Sequence, residues 1–394
     1  MISKRLQSVS PSATLAIDAK AKELEAQGND IVKFGVGEPD YPTPEHIKQA
    51  AVEAIQNDET RYTANNGIPP LREAICRKFL EDNGLEYSPD QILVSTGAKQ
   101  SIYNAVMTLA EPGDEVIIVA PYWVSYPEQV RLAGAVPVVI QTDESTGFKM
   151  TPDMLEDAIS QKTRALILNS PSNPTGSVYT QEELQGLADV LVKTDVCVIS
   201  DEVYESLMYD DREHVSIASV TPSIKDQCIV VNGVSKAYAM TGWRIGYAAG
   251  PLDIIKSMGT VQSHSTSNAG SIAQWAALEA LTGPKQPIFD MVAEYLKRRD
   301  YMTERLQALP GFTCSKPGGA FYIFPNIKEL IGREIQGETI TDSDAFCKLV
   351  LETSYVAIVP GTGFGSPENV RFSYSTSMDR IKEGMDRLED LLTS

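Results

Sequence analysis

A lysine at position 236 stands in a segment where a flexible, strongly hydrated cation is unusual. Lys236 follows an apolar run, lies among small residues and precedes Arg244 by eight positions. A lysine on a solvated loop is the plain alternative. A partly desolvated amine held in a fixed position is, however, what a Schiff base with a carbonyl cofactor requires. We therefore interpret Lys236 as a nucleophilic amine.

The surrounding residues 233–246, GVSKAYAMTGWRIG, carry a more specific signal than the lysine alone. They resemble the lysine signature of class I pyridoxal-phosphate (PLP) aminotransferases at each constrained position, and a motif of that length is far more specific than one residue. The resemblance implies that PLP is the carbonyl cofactor. The rest of its site should then follow other strands of an α/β sheet, where ligands of such sheets bind.

Three polar side chains follow two other apolar runs. Asp201 ends one run, and a buried carboxylate there needs a cationic partner, which a protonated pyridine nitrogen supplies. Asn173 lies between two prolines in SPSNPTG, and its amide can donate to the cofactor's phenolate oxygen, as can the Tyr204 hydroxyl. Taken alone, Asp201 indicates a helix cap and SPSNPTG a proline-rich turn.

A phosphate site is predicted at 94–101, where a strand, a tight turn and a helix succeed one another. Such a turn presents free backbone N–H groups at the positive end of a helix, and Gly97 and Ala98 permit close approach. Arg244 would add a bidentate contact and Ser235 a hydroxyl. A plain strand–helix turn is the alternative. The chain contains neither GxxxxGK[ST] nor GxGxxG, which counts against nucleotide binding.

An aromatic residue and an arginine complete the candidate site. Trp123 follows the EVIIVA run, where an indole suits stacking on a cofactor ring; core packing is the alternative. Arg371 lies in the apolar run NVRFSYS, which offers its guanidinium no acid. Because a buried guanidinium needs a carboxylate, we interpret Arg371 as the partner of a substrate α-carboxylate, against an unidentified structural ion pair.

The elements that must position these residues form an α/β pattern. Between residues 90 and 250, short β-branched runs alternate with amphipathic stretches, which is typical of a mostly parallel sheet buried on both faces. Helices are expected at 99–110 and 181–193, the second opened by a capping box of Thr180 and Glu183. Seven strands are expected, at 91–95, 115–120, 136–140, 164–170, 196–200, 228–233 and 245–250.

The domain organisation is predicted from the length of 394 residues and from a change to shorter, mixed elements after Gly311. The stretch 270–308 is apolar at helical spacing and predicts one long linking helix, with Lys297, Arg298 and Arg299 on a solvated face. We predict a large PLP-binding domain at 45–290. Residues 1–44 and 291–394 are predicted to form a smaller α+β domain.

Nearly the whole chain resembles fold-type I PLP enzymes, also through GEPD at 37–40, RYT at 61–63 and VPG at 359–361. PYWVSYP at 121–127 and AMTGWR at 239–244 resemble the bacterial and plastid aspartate aminotransferases. The resemblance implies that Lys236, Asp201 and Tyr204 are catalytic. It also implies that Tyr62 reaches the phosphate of a neighbouring subunit, and hence a homodimer with shared sites. The substrate contacts it implies are Gly37, Thr14, Lys99, Trp123, Asn173 and Arg371.

The chain departs from its relatives at three places. Gly233 replaces a phosphate-binding serine that many relatives carry, and Ser10 replaces a basic residue found in some. No arginine matches the one that binds the distal carboxylate in other aspartate aminotransferases. The subgroup that this chain resembles uses a lysine of the phosphate turn instead, and the resemblance implies that Lys99 has this role. Thr14 and Lys99 also resemble relatives that transaminate prephenate. The resemblance thus implies ping-pong transfer between aspartate and 2-oxoglutarate, with prephenate amination as the alternative.

Two other classes of PLP protein are alternatives to a transaminase. A C–S lyase or another β-eliminating enzyme would use the same PLP contacts and remains open at this point. A PLP-domain regulator would need an appended basic helix-turn-helix segment, and residues 1–44 contain none.

The composition also indicates which kinds of binding partner the protein has. Fifty-three acidic residues against 34 Lys and Arg give a net charge of −19, so we expect amino and oxo acids but neither nucleic acid nor membranes as partners. Five dispersed cysteines without a C-x-x-C pair predict no disulfide framework, and His46, His214 and His264 lack metal-ligand spacing. With no signal-peptide pattern, we expect a cytoplasmic protein.

Overall fold

A seven-stranded sheet with helices on both faces forms the larger part of the molecule. The structure is a computed structural model that describes residues 2–11 and 13–393. Its α-helices in that part of the chain are α1 (Lys4–Gln7), α2 (Ala13–Ala26), α3 (Glu45–Gln56), α4 (Pro69–Asn83), α5 (Ala98–Leu109), α6 (Ser125–Ala133), α7 (Pro152–Ala158), α8 (Gln181–Leu191), α9 (Pro222–Lys225), α10 (Leu252–Ser265), α11 (Ser271–Thr282), α12 (Gln286–Ala308), α13 (Ser343–Ser354) and α14 (Met378–Thr393).

All seven predicted sheet strands are confirmed, with ends displaced by at most one residue. Short further strands lie near the chain's beginning and after residue 320. The strands are β1 (Val32–Lys33), β2 (Ile92–Ser95), β3 (Glu115–Ala120), β4 (Val136–Gln141), β5 (Thr163–Asn169), β6 (Cys197–Asp201), β7 (Cys228–Gly233), β8 (Gly246–Ala249), β9 (Tyr322–Ile323), β10 (Glu334–Ile335), β11 (Glu338–Thr339), β12 (Val356–Ala357), β13 (Val359–Pro360) and β14 (Val370–Ser373).

The strand order of the large sheet is β2-β8-β7-β6-β5-β3-β4. Only β8 runs antiparallel to its neighbours, so the predicted mostly parallel, mixed sheet is confirmed. Because β2 and β7 are both antiparallel to β8, they run in the same direction. The carboxyl ends of β2, β3, β5, β6 and β7 therefore meet at one edge, which is where such sheets bind ligands.

Both faces of this sheet are buried, which explains why its strands are continuously apolar. Ile117 of β3 and Val198 of β6 belong to one hydrophobic core. Their neighbours Ile118 and Ile199 belong to the core on the opposite face. Successive side chains of a strand point to opposite faces, so each position of the run must be apolar to fill one core or the other.

The N-terminal segment joins the C-terminal part of the chain. Strand β1 pairs in parallel with β12, Val32 standing opposite Val356. Strands β13, β14 and β9 form a separate antiparallel sheet. This arrangement agrees with the expected packing of the N-terminal segment, while the domain bounds at 44/45 and 290/291 stay predictions.

The predicted long helix over 270–308 is wrong, because the chain leaves the helix at Gly283. That residue is extended (φ −82°, ψ −171°) and precedes Pro284, whose ring disfavours helical backbone in the residue before it. Two helices, α11 and α12, result. No described helix has both the length and the apolar character needed to cross a membrane.

The predicted solvated face of α12 is also wrong for two of its three cations. Lys297 is exposed, but Arg298 and Arg299 are buried. Arg298 donates to both carboxylate oxygens of Asp40, at 2.9 and 2.8 Å. Arg299 pairs bidentately with Asp210 at 2.7 and 2.8 Å. These acids lie far away in the sequence, so the charge pattern of the helix alone could not reveal them.

A second buried charge network lies behind the end of β6. Glu202 accepts hydrogen bonds on Oε1 from Ser200 and Ser216, at 2.7 and 2.6 Å, and its Oε2 lies 3.0 Å from Nε2 of His214. Burial alone would lower the pKa of His214, but the nearby carboxylates, Glu202 first among them, raise it above its usual value. Glu205 adds to the rise, although Lys78 pairs with it. We interpret the cluster as a structural ion network.

His214→Gln should change how stability depends on pH. A raised pKa in the folded state means that the charged pair stabilises fully below the unfolded pKa and loses that effect as pH rises through the folded value. The free energy of unfolding should therefore fall by about 2 kcal/mol at pH 5 and by less at pH 9. Urea unfolding across this range measures it. His264→Gln, at an exposed position of α10, is the control, and equal pH profiles for both variants would contradict the assignment.

Candidate active site

A cavity of about 570 Å³ opens at the carboxyl edge of the large sheet, next to the small sheet of β13, β14 and β9. It gathers residues that are more than 300 positions apart in the chain. Eleven of the predicted site residues line it: Gly37, Ala98, Lys99, Trp123, Asn173, Asp201, Tyr204, Ser235, Lys236, Arg244 and Arg371.

Lys236 follows β7 and extends its amine into this cavity. Nζ donates to the carbonyl oxygen of Gly37 and lies 5.8 Å from the ring centroids of Tyr204 and Phe321. Burial lowers the pKa of Lys236 to about 8, although the nearby Glu38 carboxylate opposes the shift. An amine with that pKa has a substantial neutral, nucleophilic fraction near neutral pH, as the sequence interpretation requires.

Asp201 is the last residue of β6 and is buried. Its Oδ2 accepts a hydrogen bond from the Tyr126 hydroxyl at 2.6 Å, and its Oδ1 accepts one from the Val203 backbone N–H at 3.3 Å. Burial raises the pKa of Asp201 to about 6, and the Tyr126 hydrogen bond works against that rise. The Asp201 carboxylate is therefore held in a fixed orientation by neutral donors, and a cationic ligand group could pair with it.

Arg371 projects from β14 and is buried without a counter-ion. It donates to Asn173 Oδ1 at 2.9 Å and to the Gly35 carbonyl at 2.8 Å, and its Nε has no partner. Its guanidinium packs 4.5 Å from the Tyr322 ring centroid. No carboxylate of the described residues pairs with it, and burial lowers its pKa. A buried guanidinium without a carboxylate partner is suited to bind an anionic ligand.

Asn173 and Tyr204 also line the cavity. Because Asn173 uses Oδ1 to accept from Arg371, its amide nitrogen is left as the donor toward the cavity. The Tyr204 hydroxyl lies 2.8 Å from that of Tyr322 and is buried. The contacts of both side chains to a phenolate oxygen stay a prediction.

The turn between β2 and α5 forms an anion cradle. Gly97 has a left-handed φ of 84°, and a Cβ there would lie 2.3 Å from an Arg244 Nη atom, so only glycine leaves the space open. Among the described residues, the backbone N–H groups of Ala98 and Lys99 have no acceptor. Ser235 is buried beside them. The donors at this helix end fit a phosphate group.

Lys99 and Trp123 lie at the mouth of the cavity. The Lys99 ammonium is 4.8 Å from the Trp123 ring centroid. Desolvation lowers the pKa of Lys99, and the neighbouring charge of Arg244 lowers it further. The indole also meets Tyr126 edge to face, with 5.4 Å between ring centroids.

Three predicted residues are not among the lining residues. Gly97 lies directly behind Ala98 in the cradle. Tyr62 is 92% exposed and stands away from the cavity of its own chain. Thr14 falls within α2, but its side chain lies outside the described residues.

Sequence reasoning missed two tyrosines that support the site. Tyr126 belongs to the segment PYWVSYP, which carried part of the family resemblance without a role for this tyrosine, and Tyr322 is the first residue of β9. Tyr126 holds Asp201, while Tyr322 touches both Tyr204 and Arg371. The spacing of Tyr126, three residues after Trp123 and on the first turn of α6, was the available signal.

Comparison with known proteins agrees with this geometry. The profile of the family described as aminotransferase class I and II matches residues 29–388. The chain is 50% identical to the aspartate aminotransferase of Geobacillus stearothermophilus and 49% identical to the aspartate/prephenate aminotransferase of Cereibacter sphaeroides, over 98% of each chain. The crystal structure of the Rhizobium meliloti aspartate aminotransferase superposes with a TM-score of 0.97 at 43% identity, covering 100% of this chain and 99% of that one. The chain therefore belongs to the class I and II aminotransferases.

Tyr126→Phe should raise the pKa of Asp201 above its value of about 6, because the lost hydroxyl stabilises the charged carboxylate. Infrared difference spectra of the ligand-free protein should show the protonated carboxyl band persisting to higher pH, and Asp201→Asn identifies that band. Tyr122→Phe, in the segment just before α6 and without a bond to Asp201, is the control. An unchanged titration in Tyr126→Phe would contradict the assignment.

Proposed function

We propose that the protein is a PLP-dependent aspartate aminotransferase. It would transfer the amino group between L-aspartate and 2-oxoglutarate, giving oxaloacetate and L-glutamate in a ping-pong sequence. One observation carries the proposal: the buried, unpaired guanidinium of Arg371 faces the same cavity as the Lys236 amine, whose pKa is lowered to about 8. Arg371 can bind a carboxylate and Lys236 is a nucleophilic amine, and the two together in one cavity suit an α-amino acid as substrate.

The residues of the cavity fit PLP, which supplies, when bound, an electron-poor ring that stabilises negative charge at the α-carbon of an amino acid. Asp201 would hold the proton of the pyridine nitrogen. Asn173 and Tyr204 would donate to the phenolate oxygen, and Trp123 would stack on the ring. The phosphate would be held at the free N–H groups of Ala98 and Lys99, to which Gly97 leaves access, and at the Ser235 hydroxyl and the Arg244 guanidinium.

Lys236 would perform the proton transfers. Its neutral Nζ accepts the proton from Cα of the bound amino acid and returns one to Cα when the reaction runs in the other direction. The lowered pKa keeps that amine available as a base near neutral pH. The Gly37 carbonyl, which accepts a hydrogen bond from Nζ, would hold the free amine at the cavity wall.

Substrate recognition would be divided between two cations. Arg371 would bind the α-carboxylate through its fixed guanidinium, with Asn173 and Gly37 beside it. Lys99, at the cavity mouth next to Trp123, would bind the distal carboxylate of aspartate, glutamate or their oxo acids. Closure of the cavity around the substrate would exclude water and strengthen both contacts.

Prephenate is a second candidate amino acceptor. Several relatives with about the same identity are named aspartate/prephenate aminotransferases, and prephenate is a dicarboxylate like oxaloacetate. The same pair of cations would suit both acids. The amination product would be L-arogenate.

A homodimer with shared sites is part of the proposal. Tyr62 is a large aromatic residue with 92% of its surface exposed, which suits a contact with the phosphate of a partner subunit. A cytoplasmic location is likewise proposed. Sedimentation of the purified protein at micromolar concentration tests the dimer.

Half-reactions test the proposed activity. The purified protein should show a visible absorbance band that bleaches with aspartate and recovers with 2-oxoglutarate or oxaloacetate, and a faster recovery with prephenate would favour the second candidate. Lys236→Ala should slow turnover about 10²- to 10⁴-fold. Lys256→Ala, an exposed lysine on α10, is the control. Release of ammonia and pyruvate from cysteine conjugates, without need for an oxo acid, would instead identify a β-eliminating enzyme.

Arg371→Lys and Lys99→Ala should separate the two carboxylate contacts. Losing the bidentate guanidinium should raise KM about 10²-fold for aspartate and alanine alike, because both carry an α-carboxylate. Losing Lys99 should raise KM for aspartate by about tenfold and leave alanine nearly unchanged. Steady-state assays with both amino acids measure this. A Lys99→Ala effect of the same size on alanine would place the distal contact elsewhere.

A further inference from the structure

Gln262 is a fully buried glutamine on α10 whose side-chain amide is completely hydrogen-bonded. Its Nε2 donates to the backbone carbonyls of Asn65 and Val94, each at 2.8 Å. Its Oε1 accepts from the Ser95 hydroxyl at 2.7 Å and from Asn104 Nδ2 at 3.1 Å. Because two carbonyls face one side of the amide, its orientation is fixed.

A second link runs from the same helix to the next residue of the turn. The backbone N–H of Thr96 donates to Gln100 Oε1 at 2.5 Å, and Gln100 Nε2 donates to the hydroxyl of Thr266, the C-cap residue of α10. Helix α10 therefore holds both Ser95 and Thr96. These two residues directly precede the phosphate cradle at Gly97 and Ala98.

We propose that Gln262 is a positioning residue for the phosphate of the cofactor. This inference rests on the proposed function and deepens it. The free N–H groups of Ala98 and Lys99 bind an anion well only at the right angle, since hydrogen bonds weaken steeply when bent. A displacement of Ser95 is passed directly to those groups. Gln262 touches no cofactor atom in this assignment and acts through the backbone of β2 and the turn.

The same amide fixes a second segment with a proposed phosphate contact. Asn65, which accepts from Gln262, lies three residues after Tyr62, and its own side chain donates to the Gly259 carbonyl of α10 at 2.9 Å. One buried side chain thus ties the phosphate turn of a chain to the loop proposed to reach the partner's site. A purely space-filling residue would not need four specific hydrogen bonds.

Comparing ligands with and without phosphate tests the role. Gln262→Leu keeps the volume and removes all four hydrogen bonds. The full-length protein, freed of cofactor, should then bind PLP about tenfold or more weakly, while its dissociation constant for pyridoxal, which lacks the phosphate, should change by less than about twofold. Inorganic phosphate should also compete less well for the site.

Gln227→Leu is the control. Gln227 is a partly buried glutamine just before β7 whose Nε2 donates to the Thr194 carbonyl at 2.6 Å, and it bonds neither the phosphate turn nor the loop of Tyr62. Its loss should affect PLP and pyridoxal by the same factor. If Gln262→Leu also weakened both ligands equally, or neither, the positioning role would be overturned and Gln262 would be a core residue.

Two measurements keep the test decisive. Ser95→Ala removes only one hydroxyl that bonds Gln262 and should reproduce a smaller loss selective for PLP, even if Gln262→Leu fails to fold. The wild-type preference for PLP over pyridoxal is measured first. If the wild type bound PLP and pyridoxal equally, the proposed phosphate site would be wrong, and the proposed role of Gln262 with it. If the wild type prefers PLP and Gln262→Leu keeps that preference, only the role of Gln262 would be wrong.

Discussion

The structure depends on holding three ionisable side chains in one buried cavity without pairing them to one another. Burial raises the pKa of Asp201 to about 6, lowers that of Lys236 to about 8 and lowers that of Arg371. Each shift shows that the charged form is less stable here than in water. A ligand with the complementary charges would relieve all three groups at once, so the unfavourable burial of these charges would contribute to its binding.

The rest of the fold serves to keep these groups in place. Parallel strands bring Asp201, the Asn173 loop and Lys236 to one sheet edge, and the cores on both faces leave that edge little freedom to move. The small antiparallel sheet contributes Arg371 from the opposite side of the cavity. Neither part alone contains both the amine and the guanidinium.

Neutral hydrogen-bonding residues behind the cavity set its geometry. Tyr126 bonds Asp201, Tyr322 contacts Tyr204 and Arg371, and Gln262 bonds Ser95, two residues before Gly97. None of them carries charge, so they fix direction without cancelling the electrostatics that make the cavity a binding site. Farther back, Glu202 and His214 neutralise each other within the structure.

The sequence by itself determined the ends of the sheet strands to within one residue, and it also identified eleven of the residues that line the cavity. Both the apolar strand pattern and the motif spacing are local signals. A strand buried on both faces must be apolar throughout, and a catalytic motif keeps its spacing in the chain. The tertiary structure alone decided which charges are buried. Arg298 and Arg299 look solvated on their helix until Asp40 and Asp210 approach, and Arg371 proves unpaired only once its surroundings are known. Partners brought together from distant positions leave no local pattern, since their contact exists only after folding.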